Sequence, residues 1–315
     1  MARYVTISTF NYHYCTVDPL QDIETAIIQV SEFLADKIQQ VLPDQPDLIV
    51  LPECCDVPSG YDGERLKAYY RQRADRILDL LSDLARQHRC YIAYPTIRYR
   101  DDDTWRNSVL LIDREGTVAG TYDKNHPVSI EIEQDGIVCG SEAPVFTCDF
   151  GRVAIAICFD LNFAPLRDRY ARMQPDLILF PSMFHGGFMQ QYWAYACRAF
   201  FVGAIAGRLP SAILSPLGQP LYSTSSYYDY VTGTINLDAV VVHLDFNRPK
   251  LERMKQKYGV KVSIMDPGLV GSVLVTSESA DRTADDLVKE FDLVRLDDYL
   301  AQSLALHRSK GQDVL

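Results

Sequence analysis

The sequence is short of positive charge: 31 lysines and arginines stand against 42 aspartates and glutamates, for a net charge of −11. No basic stripe relieves that balance, which argues against nucleic acid or an anionic membrane as partner. Long apolar runs are missing too, so no bilayer-spanning helix is expected. The N-terminus passes from MARY straight into VTISTF, without the basic and apolar regions of a secretory signal. The eight cysteines, at positions 15, 54, 55, 90, 139, 148, 158 and 197, include no C-x-x-C pair and match no zinc spacing. They are expected as free thiols in a reducing cytoplasm, with neither metal nor other cofactor needed. Linkers, short repeats and low-complexity tracts are also lacking. One main domain is therefore expected over residues 1–280, with 281–315 as a C-terminal extension, helical and packed on the domain or on a partner subunit.

What is present alternates between strands and helices. Arg3–Phe10 reads as a first strand, and Asp18-Pro19 as an N-cap followed by proline at the first helical position. Ile23, Ile27, Val30, Leu34, Ile38 and Val41 then mark one apolar helix face. DLIVLPE (47–53) is an uncharged strand core ending on a carboxylate. Arg65–His88 reads as one amphipathic helix, and Asp101–Asp103 as a solvated loop tip balanced by Arg98, Arg100 and Arg106. Asn107–Asp113 and Thr117–Tyr122 flank a hairpin turn, and the second of these strands runs into Asp123-Lys124-Asn125-His126. RVAIAICFD (152–160) reads as a strand buried on both faces that delivers Cys158 to its end. DLILFPS (176–182) repeats the pattern of 47–52, Gln190–Ala199 reads as a helix, and Asp297–Arg308 as a last amphipathic one. The class is α/β with mixed sheets and helices outside.

A buried cysteine is by default a small hydrophobe. Here, however, three strands end on or run into a reactive group: Glu53, Lys124 and Cys158. In α/β sheets ligands bind at the carboxyl ends of strands. A carboxylate can take the thiol proton, and a lysine can face the oxyanion of a tetrahedral intermediate. The Phe159 N–H, next after the nucleophile, is a candidate second donor. These parts suit acyl transfer from an amide or nitrile through a thioester.

LPE (51–53), YDKNH (122–126) and ICFD (157–160), in this order and spacing, resemble the nitrilase superfamily of carbon–nitrogen hydrolases. FTCDFGRVAIAICFD, DLILFPS and Glu133 with Gly140 seven residues on support the resemblance, which covers roughly residues 4–280. It implies a four-layer α-β-β-α sandwich with two mixed sheets, and association as a homodimer or larger. It implies Glu53 as general base, Lys124 as intermediate stabiliser, Cys158 as nucleophile and Glu133, preferred over Glu131, as a second glutamate that positions substrate and lysine. Phe159-Asp160 looks like the amidase and carbamoylase branches rather than the nitrilases, where Trp-Glu follows the cysteine. LNFAP (161–165) lacks the arginine that many relatives carry there, and CRAFF (197–201) replaces a polar Glu-Asn pair.

The expectation is thus a cysteine-dependent amidohydrolase acting on a linear amide or N-carbamoyl compound. Asn162, Phe163, Phe184 and His185 are candidate substrate contacts, and the rings of Phe159, Phe163 and Phe184 suggest a partly aromatic pocket. His126 and Asn125 are candidates to orient the site, while Trp193, Tyr192, Cys54 and Cys55 read as packing. The rivals are a nitrilase using the same residues, an acyltransferase passing the thioester to an amine, and a non-catalytic scaffold of the same fold.

Overall fold

The computed structural model describes residues 1–100 and 103–311. Asp101 and Asp102 of the acidic loop tip lie outside the described residues. The chain divides into two compact units, Val5–Ile235 on one hand and Met1–Tyr4 with the chain from Asn236 onward on the other. The boundary expected near residue 280 falls inside the second unit.

The larger unit opens with β1 (Tyr4–Phe10), α1 (Ile23–Val41), β2 (Leu48–Val50), α2 (Gly63–Arg73), α3 (Arg76–His88), β3 (Tyr91–Tyr99), β4 (Trp105–Ile112), β5 (Val118–Asp123) and α4 (Ser129–Glu133). It continues with β6 (Val145–Thr147), β7 (Arg152–Ile155), α5 (Ala164–Met173), β8 (Leu177–Ser182), α6 (Phe188–Cys197), β9 (Phe200–Ile205), β10 (Ala212–Leu214), β11 (Pro220–Ser223) and β12 (Tyr230–Asn236). Two six-stranded sheets result, ordered β12-β1-β2-β3-β4-β5 and β11-β10-β9-β8-β7-β6. Both are mixed. β1, β2 and β3 run parallel while β4 and β5 return antiparallel, and β7, β8 and β9 run parallel between antiparallel neighbours. α1 to α3 cover the first sheet and α5 and α6 the second, with a separate apolar core on each side. The sheets meet through the Thr9 hydroxyl, which donates to the Gly203 carbonyl at 2.8 Å. This is the four-layer arrangement expected.

The local reasons are ordinary ones. α1 buries Ala26, Ile27, Val30, Leu34, Ile38 and Val41, and each large aliphatic among them contributes about 1.5–3 kcal/mol. Its cap is Asp22, which accepts from the Thr25 N–H at 2.9 Å, and not Asp18. Asp18 is taken up in a local turn with the Leu20 N–H. The single helix expected over 65–88 is two. The chain breaks at Ala74, in a left-handed conformation (φ 48°), just after the buried Arg73. Arg73 pairs with Asp56, which also accepts from the Tyr94 and Thr96 hydroxyls at 2.6 and 2.8 Å. The helix placed at 190–199 runs instead from Phe188 to Cys197, with Trp193 wholly buried.

The smaller unit holds β13 (Ala239–His243), α7 (Arg248–Tyr258), β14 (Val262–Met265), β15 (Ser272–Ser277), α8 (Ala284–Glu290) and α9 (Leu296–Ser309). Its three strands form an antiparallel sheet, β13-β15-β14, over a core that includes Val242, Met254, Val275 and Leu287. α8 is capped by Thr283, whose hydroxyl accepts from the Asp286 N–H.

Candidate active site

The backbone leaves the second sheet sharply at Cys158. β7 ends at Ile155, three residues before the expected strand end, and Ala156 still donates to the Leu179 carbonyl at 3.0 Å. Cys158 then adopts φ 49° and opens a 3₁₀ turn, Cys158–Asn162. That conformation costs a non-glycine residue about 1–2 kcal/mol. Asp160 holds it. One carboxylate oxygen accepts from the Ile157 N–H at 2.9 Å and the Tyr122 hydroxyl at 2.6 Å. The other accepts from the His126 N–H at 2.9 Å and contacts His126 Nδ1 at 2.8 Å. Tyr122 and His126 flank Lys124, while Ile157 and Asp160 flank Cys158. One buried carboxylate therefore fixes the end of β5 against the elbow after β7. The His126 ring stacks on Phe163, with centroids 3.7 Å apart and planes within 6°.

Lys124 follows β5 and is buried. Its Nζ donates to Glu53 Oε1 at 2.9 Å and to Glu131 Oε2 at 2.8 Å. Glu53, just past β2, accepts in addition from Asn107 Nδ2 at 2.9 Å and, on Oε2, from the Met183 N–H at 2.9 Å. Glu131 accepts from Asn107 Nδ2 at 2.8 Å and from the Val128 N–H at 2.7 Å. Two carboxylates, one ammonium and one bridging amide thus form one hydrogen-bonded set, buried except at Glu131, which is partly exposed. Burial alone would lower the Lys124 pKa, but Glu53, Cys158 and Glu131 raise it, so the ammonium is retained. Burial pushes the Cys158 thiol up to about 12, Glu53 adds to that, and Lys124, the Met183 N–H and the Ser182 hydroxyl oppose it.

Of the two glutamates, the structure places Glu131 and not Glu133 against Lys124. Glu133 is exposed. On a helix, residues two apart do not face the same way. α4 begins at Ser129, and Glu131 in its first turn reaches back both to Val128 and to Lys124, so its neighbour two positions on turns to solvent. Gly140 does pack against the lysine: it donates to the Lys124 carbonyl at 2.8 Å, and a Cβ there would sit 2.2 Å from the Asp123 carbonyl oxygen.

The candidate substrate contacts lie on the turn after β7 and in the loop after β8. Asn162 is exposed and donates to the Phe159 carbonyl at 3.0 Å. Phe163 is committed to His126. Phe184 is 41% exposed, and the His185 ring accepts from the Gly187 N–H at 3.2 Å. A cavity of about 260 Å³ opens instead on the Glu131 side, walled by Tyr14, Tyr61, Leu66, Tyr70, Trp105 and Ile137, with Cys54, Glu131, Lys67 and Asp135 also on its lining. None of Phe159, Phe163 and Phe184 borders it. Asn107 and Tyr14 carried no signal in the sequence beyond their polarity. Among the described residues no group of three or more His, Cys, Asp or Glu side chains is placed to hold a metal ion.

The family model described as carbon–nitrogen hydrolase matches residues 20–241. Among curated relatives, omega-amidase NIT2-B of Xenopus laevis is 24% identical over 51% of this chain and 60% of its own. The deaminated glutathione amidase of Dictyostelium discoideum is 26% identical over 50% and 59%. The chain thus spans about 60% of the length of these two. The crystal structure of Saccharomyces cerevisiae Nit3, a member of branch 10 of the nitrilase superfamily, superposes with a TM-score of 0.61 at 15% identity, covering 78% of this chain and 94% of that one.

Proposed function

The chain belongs to the carbon–nitrogen hydrolase family, and from that premise we propose that it is an amidase that hydrolyses a small linear amide or N-carbamoyl compound through a thioester on Cys158. The observation that carries this is the buried Lys124 ammonium held between Glu53 and Glu131 beside the Cys158 thiol. Glu53 takes the thiol proton as sulfur bonds to the carbonyl carbon. The carbonyl electron pair moves onto oxygen, which faces the Lys124 ammonium and the Phe159 N–H. Collapse breaks the C–N bond, and Glu53 returns the proton to the departing nitrogen. Water, deprotonated by Glu53, then attacks the thioester, and the acid leaves as the thiol re-forms. Glu131 and Asn107 act by holding Lys124 and Glu53 in register. The amidase names of the relatives favour amides over nitriles.

Eight free thiols suit a cytoplasmic setting, and among the described residues no helix is long and apolar enough to cross a membrane. Exposed Phe188 and Tyr192 on α6 suit a homodimer or larger assembly. The test of the activity is ammonia release from a panel of amides, N-carbamoyl compounds and nitriles. Turnover of amides that Cys158→Ala abolishes is expected. Silence across the panel would favour a scaffold, and activity surviving Cys158→Ala would overturn the mechanism.

A further inference from the structure

The cavity beside the site has a chemical character of its own. Its walls are mostly rings and aliphatic groups, from Tyr61, Tyr70, Trp105 and Leu66 among others. Three charged side chains border it: Glu131, Asp135 and Lys67. Glu131 is spent on Lys124. Lys67 is half-buried and makes only a loose pair, 3.6 Å from the exposed Glu64. Burial pushes the Asp135 carboxyl up, and Lys67 only partly opposes that. Among the described residues no arginine borders the cavity. A carboxylate on the substrate would lie near Glu131 and Asp135 as well as Lys67, whereas an uncharged apolar arm meets walls that match it.

Tyr14 stands where this cavity meets the reacting groups. It borders the cavity, and its hydroxyl donates to the Met183 thioether sulfur at 3.2 Å. Met183 in turn donates its N–H to Glu53. The hydroxyl also lies within electrostatic reach of Cys54, Glu53 and Cys158. A thioether is a weak acceptor, so a substrate oxygen or nitrogen can replace it at little cost.

We propose that the site takes an uncharged amide with an aromatic or branched apolar acyl arm, that this arm fills the cavity walled by Tyr61, Tyr70, Trp105 and Leu66, and that Tyr14 donates a hydrogen bond to the substrate at its reacting end. This rests on the amidase reading above and deepens it. The experiment compares kcat/KM for phenylacetamide, acetamide and succinamate in the full chain and in Tyr14→Phe and Leu66→Trp. Phenylacetamide is expected to exceed succinamate by about tenfold or more. Tyr14→Phe is expected to lower phenylacetamide kcat/KM by about threefold to tenfold, the loss of one hydrogen bond. Leu66→Trp, which fills the cavity, is expected to shift the phenylacetamide-to-acetamide ratio about tenfold toward acetamide. Melting temperatures near that of the parent chain would show that both variants fold. Preference for succinamate would overturn the substrate class, and an unchanged Tyr14→Phe would overturn its donor role. If none of the three amides turns over or acylates Cys158, the amidase reading itself falls, and this inference with it.

Discussion

At Cys158 the surrounding charge is set against a resting thiolate. Burial and Glu53 push the thiol up to about 12, and Lys124 only partly offsets them. In the proposed mechanism the proton leaves during attack, and Glu53, whose charge acts on the thiol, is the proposed base. Replacing Glu53 with Gln should move two quantities in opposite directions. Amide turnover should fall by about 10²–10⁴-fold with the base gone. Alkylation of Cys158 by iodoacetamide at pH 8 should quicken, because loss of a neighbouring negative charge lowers the thiol pKa. Both can be followed on one preparation, and slower alkylation would contradict the charge balance. Glu53, Lys124 and Cys158 stood out in the sequence because strands end on or run into them, and the structure places Lys124 Nζ 2.9 Å from Glu53. The sequence pattern favours Glu133, while the structure sets Glu131 against Lys124; a five-residue helix offers too little periodicity to say which of two glutamates faces inward. Asn107 looks like any polar residue near a strand start. Its bridging of Glu53 and Glu131 depends on the pairing of β3, β4 and β5, which a single chain does not spell out.

At the scale of elements, the loop after β2 matters most, because it carries Glu53 and one wall of the cavity. Its anchor is the buried Asp56, held by Arg73 of α2, by Tyr94 and Thr96 of β3, and through its carbonyl by the Tyr69 hydroxyl at 2.9 Å. Removing one partner of a buried pair leaves the other charge stranded. Arg73→Met should therefore cost about 3–5 kcal/mol in urea denaturation, and a loss below about 1 kcal/mol would show that the pair does not anchor the loop. The same arginine explains a boundary that periodicity missed. Leu66, Tyr70, Ile77, Leu81 and Leu84 continue one helical stripe in the sequence, yet α2 stops where Arg73 turns inward, and α3 restarts beyond Ala74. Long apolar-periodic elements such as α1 were legible. The short strands β10, β11 and β14 were not, because three or four residues carry no pattern apart from their pairing partners.

For the molecule as a whole, burial of thiols sets a limit on the alkaline side. Burial raises Cys90 to about 11, and Cys148, Cys158 and Cys197 to about 12. An unfolded thiol titrates near ~8.5. A folded pKa raised above the unfolded value gives stability that is full below the unfolded pKa and lost as pH rises toward the folded one. The melting temperature should therefore hold up to about pH 8.5 and fall steadily above it, and a flat profile to pH 11 would contradict the burial of these groups. At this scale the α/β class was readable from alternating elements and the two-sheet layering was implied by the family resemblance, whereas the division after Ile235 was not readable, because no change of composition marks it. The central claim, that the chain acts through an acyl group on Cys158, is open to one direct measurement: the intact mass of the chain, followed by peptide mapping, after quenching seconds into turnover of phenylacetamide. The account predicts a phenylacetyl adduct confined to the peptide containing Cys158 and absent from Cys158→Ala. An adduct on Cys54, or ammonia release undiminished in Cys158→Ala, would contradict it.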